Sequence, residues 1–257
     1  MPPCVLKDLC QADLAGRNFQ AAVLPIGATE VHGMHLPYGV DTYNVEAIAC
    51  RAAEQACGKG AEVLALPALP FGMDANLMGF PYTIDIRPAT LMAVVEDVVR
   101  SMVVHGIGKV LLLNGHGGNC GVVESCVRDL YDKVACFVCR VDWWTVADDV
   151  IREVMESQHL EHACEFETSV ALYTFPDLVR MEHAKPSPAN EHRLPLLTKY
   201  TGKFSRPWHL FTNNGGVGRP DLATEAKGRR IVEATVERLA DILVELAEAE
   251  RDERFPY

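Results

Sequence analysis

Between Leu24 and Asp41 the chain reads LPIGATEVHGMHLPYGVD, setting Glu30, His32, His35 and Asp41 directly after an apolar run. Carboxylates and imidazoles are the side chains that hold zinc, manganese or iron, and imidazole also exchanges protons near neutral pH. Glu30 and His32 are two positions apart, so on extended backbone both point to one side and can serve one site. His35 points elsewhere unless the loop bends. Asp41 follows a Pro and Gly turn just before an apolar helical stretch, so it reads either as that helix's N-cap or as a further ligand, with ligation favoured beside Glu30 and His32.

A second cluster, LLLNGHGGN, covers residues 111 to 119. Asn114 closes an apolar run and His116 stands on the turn, while Gly117 and Gly118 let backbone approach a ligand closely. The pattern lacks both GxGxxG and the Lys and Ser or Thr of a P-loop, so its nucleotide signal is weak. His116 reads better as a ligand or acid/base group. The third cluster, EHACEFETS, spans residues 161 to 169. Glu161 and Glu165 fit a solvated helix face. Glu167, beside the apolar VALYTF run, reads as a metal-contacting and catalytic carboxylate, and His162 as the proton shuttle.

Together Glu30, His32, Asp41, His116 and Glu167 supply three carboxylates and two imidazoles, more than one tetrahedral zinc takes. An Asp can bridge, so the set points to two divalent ions about 3.5 Å apart that lower the pKa of a shared water.

Those residues need a scaffold that brings distant loops together. AAVLPIG, AEVLALP, KVLLLNG and VACFVCRV are short apolar runs bounded by turn residues, as strands buried on both faces are. Segments of helical period alternate with them: TYNVEAIACRAAEQA, PATLMAVVEDVVRSMVVHG and NCGVVESCVRDLYDK. The alternation predicts an α/β fold with a mostly parallel central sheet, whose ligands gather where strand ends give way to loops. All three clusters fall at such places. Residues 223 to 251 predict one long amphipathic helix that packs on the sheet rather than forming a coiled coil. From Lys185 to Pro220 the sequence turns irregular, predicting a functional or oligomer-contacting excursion. One domain, 1–257, accounts for the length.

Composition narrows the function. The chain is 49% hydrophobic and 23% charged, in the globular range. A net charge of -11, without a basic run, speaks against nucleic acid. Nine cysteines without the paired CxxC motifs of a zinc ribbon read as reduced thiols in a cytoplasmic protein, with no signal peptide and no span long enough for a bilayer.

With PIGATEVHGMHLPYGVD, LLLNGHGGN, EHACEFETS and GGVGRPDLATEAKG in that order, the chain resembles the creatininase family over nearly its whole length. The resemblance implies a three-layer α/β/α sandwich, a dinuclear metal site, hydrolysis of a non-peptide or cyclic C–N bond, and a homohexamer. By position it gives Glu30, His32, Asp41, His116 and Glu167 as metal-site residues, Asp41 bridging, and His162 as acid/base.

Some positions depart from the family pattern. Gly118 stands where creatininase itself has a glutamate ligand, and Glu167 is the natural replacement. Gln158 stands where a substrate-covering Trp is expected, and Trp144 lies near the position of a second one. Cys164 replaces the Gly of His-Ala-Gly and reads as a buried small residue rather than an extra ligand. Asp74, Asn76 and Leu77 replace Ser, Glu and His. The expected substrate pocket is Trp144, Asp74, Gly117 and Gly118.

The resulting expectation is a metal-dependent amidohydrolase, zinc first and manganese or iron next, acting on a small cyclic amide or formamide. Its alternatives are creatinine amidohydrolase proper, a cofactor-peptide-trimming peptidase, a Cys/His hydrolase built on Cys120, and a small-ligand-binding α/β domain.

Overall fold

The computed structural model describes residues 3–158, 160–199 and 204–257, and at Thr198 the backbone alone. In chain order the main elements are α1 (Gln11–Leu14), β1 (Ala21–Ile26), α2 (Val40–Gly58), β2 (Val63–Ala65), α3 (Pro88–Val104), β3 (Lys109–Asn114) and α4 (Cys120–Asp129). They continue with β4 (Phe137–Asp142), α5 (Asp148–Val154), α6 (Glu165–Thr174), α7 (Pro195–Lys199), α8 (Trp208–Phe211) and α9 (Glu225–Glu248).

The four strands form one parallel sheet in the order β2-β1-β3-β4. Every residue of β1 and β3 is buried, because helices cover both faces and leave no side of the pleat to water. α2 packs on β1 and β2 and against α9, while α4 packs on β3 and β4 and against α3. The fold is thus the expected three-layer α/β/α sandwich.

Register sets where the loops emerge. Ile26 pairs with Asn114, and Asn114 pairs with Asp142. The carboxyl ends of β1, β3 and β4 are therefore level, and the loops that follow open onto the same end of the sheet.

β4 begins at Phe137, three residues into the apolar VACFVCRV run, because its first ladder bond goes from Phe137 N–H to Gly108 O. The C-terminal helix runs Glu225–Glu248 behind an N-cap in which Thr224 accepts from the Lys227 amide at 3.3 Å. Its apolar stripe, including Ile231, Val232, Leu239 and Leu243, is buried against α2 and α6 within the same chain. The α6–α9 crossing is so close that a Cβ on Gly228 would lie 1.8 Å from the Ser169 carbonyl. Among the described residues no helix is long and apolar enough to cross a membrane.

The Lys185–Pro220 excursion is mostly irregular but is tied to the sheet's loop end. Ser187 bridges Gly218, and His162 bridges Val217. Residues 200–203 of this stretch lie outside the described residues.

Candidate metal centre

Three loops and two helix starts deliver the site. The loop after β1 carries Glu30 and His32, both wholly buried. Asp41 stands in the first turn of α2, whose N-cap is Gly39 and makes no side-chain cap bond. The N-cap alternative for Asp41 is thereby corrected: a residue already inside the helix turns its carboxylate into the site. His116 begins the turn after β3, where Asn114 holds it from both sides, accepting from His116 N–H at 3.2 Å and donating to His116 O at 3.0 Å.

At the third motif Ala163 has φ +48°, in the left-handed region that a non-glycine residue occupies only when its surroundings fix it. That bend separates the His162–Val217 bridge from the start of α6. It leaves His162 facing the site and sends the Ala163 amide onto Oε2 of Glu167.

These side chains converge. Nδ1 of His116 lies 3.1 Å from Glu30 Oε1 and 3.0 Å from Asp41 Oδ2. The other Asp41 oxygen, Oδ1, is 3.2 Å from Nε2 of His32, which is in turn 4.0 Å from Glu167 Oε2. Donor atoms of His32, Asp41 and Glu167 all lie within 4.8 Å of one another. Asp41 thus faces His116 with one oxygen and His32 with the other, while Glu30 Oε1 lies near both imidazoles, 3.1 Å from His116 and 4.0 Å from Nε2 of His32.

Several of these atoms are orphans. Both oxygens of Glu30 and of Asp74, Oδ2 of Asp41 and Nε2 of His32 are buried with no hydrogen-bond partner among the described residues. A buried carboxylate without a partner is strongly unfavourable. Donor atoms within 4.8 Å of one another, at ion-pair distance but outside hydrogen-bond geometry, fit divalent cations. The donors are oxygen and imidazole nitrogen, which suit zinc, manganese or iron.

Protonation follows the same crowding. Burial pushes Glu30 up to about 8 and Glu167 up to about 7, against the pull of neighbouring imidazoles. Burial also opposes charge on His32, but Asp41 beside it wins and raises the ring to about 10. Asp41, despite burial, is held far below the usual carboxylate range by His32 and His116. His162 goes the other way: burial and the adjacent His32 push it down to about 3. Its Nε2–H donates to Val31 O at 2.7 Å, which leaves Nδ1 as the open nitrogen, 3.8 Å from Glu30 Oε1.

The structure also assigns places to the other anticipated residues. Trp144, Gly117 and Gly118 line a cavity of about 1040 Å³ that opens above Glu30, Asp41, His116, His162 and Glu167. Gly118 is required for a different reason from the one anticipated, since a Cβ there would lie 2.3 Å from both His116 Nε2 and Met73 O. Asp74 is not a cavity wall. It is fully buried with Oδ1 2.9 Å from His116 Nε2, because the loop turns its carboxylate behind the ring. Asn76 and Leu77 line the cavity instead.

Glu165 corrects the solvated-face reading. It is fully buried, accepting from Ser157 N–H at 2.7 Å and from Lys227 Nζ at 2.5 Å. His35 turns away from the centre to Thr168 Oγ1 at 2.8 Å. Cys164 is a core thiol, 1% exposed, and burial pushes it up to about 12. Cys120 is likewise raised, by burial and then by Asp142, so it has no activated thiolate for a Cys/His hydrolase.

Three contributors escape sequence reasoning. Asn119, wholly buried, donates to Gly27 O at 3.0 Å and accepts from Met73 N–H at 2.9 Å, which locks three site loops together. Trp208 and Arg206 form part of the cavity's outer wall from the irregular excursion. The one available signal was a Trp beside an Arg in a Pro-rich loop.

A parallel α/β/α sandwich with a buried carboxylate and imidazole centre at its strand ends defines a metallohydrolase. A family profile described as creatininase, creatinine amidohydrolase, matches residues 8–243. The chain belongs to the creatininase family.

Among its relatives, the creatinine amidohydrolase of Pseudomonas putida is 28% identical over 93% of this chain and 97% of its own length. The mycofactocin precursor peptide peptidase of Mycolicibacterium smegmatis is also 28% identical, over 85% of this chain and 82% of its own. A solved structure of a candidate creatinine amidohydrolase from Bacteroides fragilis superposes with a TM-score of 0.91 at 32% identity, covering 98% of this chain and 100% of that one.

Proposed function

We propose that this protein is a metal-dependent amidohydrolase that cleaves a non-peptide C–N bond, a cyclic amide or formamide, in a small molecule. The observation that carries the reading is the placement of Asp41, with Oδ2 beside His116 and Oδ1 beside His32. A carboxylate that faces a different imidazole with each oxygen would suit a pair of divalent ions. When bound, such ions supply Lewis acidity, polarising the amide carbonyl and making water a nucleophile near neutral pH.

The chain's own residues do the rest. Glu30, His32, Asp41, His116 and Glu167 would hold the ions. Asp74 and Asn114 fix the His116 ring and its backbone. His162 arrives neutral, with Nδ1 open over the centre. It takes the proton of the attacking water at Nδ1 and returns it to the departing nitrogen, without which an amine leaves poorly. Trp144, Trp208 and Leu160 wall the cavity and keep bulk water from the reacting bond.

Identity does not choose the substrate, because relatives equally distant at 28% carry the names of a creatinine hydrolase and of a peptidase. Zinc is proposed first, with manganese or iron next. The nine cysteines are all free, which suits a reducing cytoplasm. A homohexamer is proposed for the assembly, with exposed apolar residues such as Met34 and Tyr82 available for subunit contacts. Light scattering on a sizing column tests it.

The function itself is tested by elemental analysis of protein purified without chelator, together with hydrolysis of creatinine and a formamide panel before and after chelation. Two ions per chain and activity that chelation abolishes are expected. Metal-free protein that still hydrolyses an amide would overturn the reading.

A further inference from the structure

A cavity of about 1040 Å³ is at the top of the range that holds ligands of drug size, roughly 300–1,000 Å³, and a single small ring leaves most of it empty. A substrate that fills it extends outward from the metal centre. The outer wall shows what such an extension meets. Starting at the centre, the His32 and His162 rings are 4.1 Å apart, His162 and Trp208 4.9 Å, and the Arg206 guanidinium carbon lies 4.8 Å from the Trp208 ring. A row of planar groups therefore runs from a candidate metal ligand to a cation at the mouth.

That cation is distinctive in its setting. The other charged side chains among the described lining residues that are not imidazoles are acidic: Glu30, Asp41, Asp148, Glu161 and Glu167. Arg206 is held in place from two sides. It lies over Phe211 at 4.3 Å as well as over Trp208, and Nη2 reaches Glu161 Oε1 at 2.7 Å. Both partners of that ion pair are about one-third exposed, so it is a weak, solvent-screened contact that a better-placed anion can displace. Trp208 itself is packed into the wall. It is 6% exposed, and its indole N–H is buried with no acceptor among the described residues.

We propose that Arg206 and Trp208 form a second subsite, which selects amide substrates whose planar ring carries an anionic group on the side away from the scissile bond. The proposal rests on the amidohydrolase reading for the position of that bond. Trp208 lines the cavity and backs the guanidinium, and Arg206 offers its planar fork to a carboxylate or a phosphate ester.

The test uses the metal-replete protein and three probes: formanilide, 4-formamidobenzoate and 4-formamidophenyl phosphate. Dissociation constants come from tryptophan fluorescence, and turnover is followed separately. Both anionic probes are expected to bind at least about tenfold tighter than formanilide, and the tighter of the two identifies the anion. In Arg206→Met the anionic-to-neutral ratio falls to about one, with Arg206→Lys between. Glu161→Gln, which frees the guanidinium, raises affinity for the anionic probes several-fold and serves as the independent variant if Arg206→Met misfolds.

Equal affinity for all three probes, no binding of the anionic ones at millimolar concentration, or an unchanged ratio in Arg206→Met overturns the subsite. The two readings fail separately. Turnover without anionic preference removes the subsite and leaves the amidohydrolase, whereas preferential binding with no turnover of any amide keeps the subsite and removes the amidohydrolase.

Discussion

Oδ1 of Asp74 lies 2.9 Å from Nε2 of His116, on the edge of the ring opposite Nδ1, which faces Glu30 and Asp41. A carboxylate behind a ligating imidazole fixes the ring's orientation and raises its basicity. Asp74→Asn keeps the shape and removes the charge. It is expected to weaken metal binding by about 10- to 100-fold, measured by competition with a chelating dye. Unchanged affinity would mean that Asp74 only fills space.

His162 is expected to separate chemistry from metal binding. Its Nε2 is committed to Val31 O and its Nδ1 faces the centre. His162→Asn should lower kcat by about 10²- to 10⁴-fold while the metal content per chain stays that of the parent. Loss of metal in this variant would instead make His162 a ligand, since its donor atom also lies within 4.8 Å of those of Glu30 and His32.

Metal uptake should depend on pH. In the metal-free protein Glu30 holds its proton up to about 8 and His32 up to about 10, and both must lose it to ligate. Affinity for a divalent ion is therefore expected to rise between pH 6 and 10. Proton release can be read calorimetrically in buffers of different ionisation enthalpy. The sign for folding is opposite. Both folded values lie above the unfolded ones, so these groups stabilise the metal-free fold below about pH 4.5 (Glu30) and 6.5 (His32). That contribution is lost as pH rises toward 8 and 10. A metal affinity that is flat across the range would contradict the assignment of these two residues.

Glu165 and Lys227 join α6 to α9. Glu165 is buried, and Lys227 Nζ also reaches Glu156 Oε1 at 2.7 Å and Leu222 O at 2.8 Å. Lys227→Met leaves a buried carboxylate without its cation and is expected to destabilise by about 3 kcal/mol, seen as a lower urea midpoint. Gly228→Ala should destabilise too, because its Cβ meets the Ser169 carbonyl. A midpoint unmoved by either change would show that α6 does not depend on this contact.

The strands, the helices and the kinds of ligand were readable in sequence because each has a local signature. Apolar runs of strand length gave β1 and β3, helical periodicity gave α9, and imidazoles and carboxylates stood out where those runs ended. What sequence could not weigh was direction. Asp41 keeps a helix-cap alternative until the N-cap of α2 is known to be Gly39. Glu165 looks like a surface acid until Lys227, 62 positions away, closes on it.

The sequence by itself determined an α/β chain with metal-type side chains in three clusters, since period and residue chemistry are properties of short windows; two of the clusters follow strands, and the third, expected at a strand end, opens α6 instead. Only the tertiary structure decided the rest. The pairing of Ile26 with Asn114 and of Asn114 with Asp142 levels three strand ends, and so puts Glu30 and His116 within contact of each other. The same assembly sends Asp74 behind a ring rather than into the cavity, and brings Trp208 against His162 and Arg206 over Trp208. These relations join residues tens of positions apart, and their geometry is set by sheet register and helix packing, which no local stretch of sequence encodes.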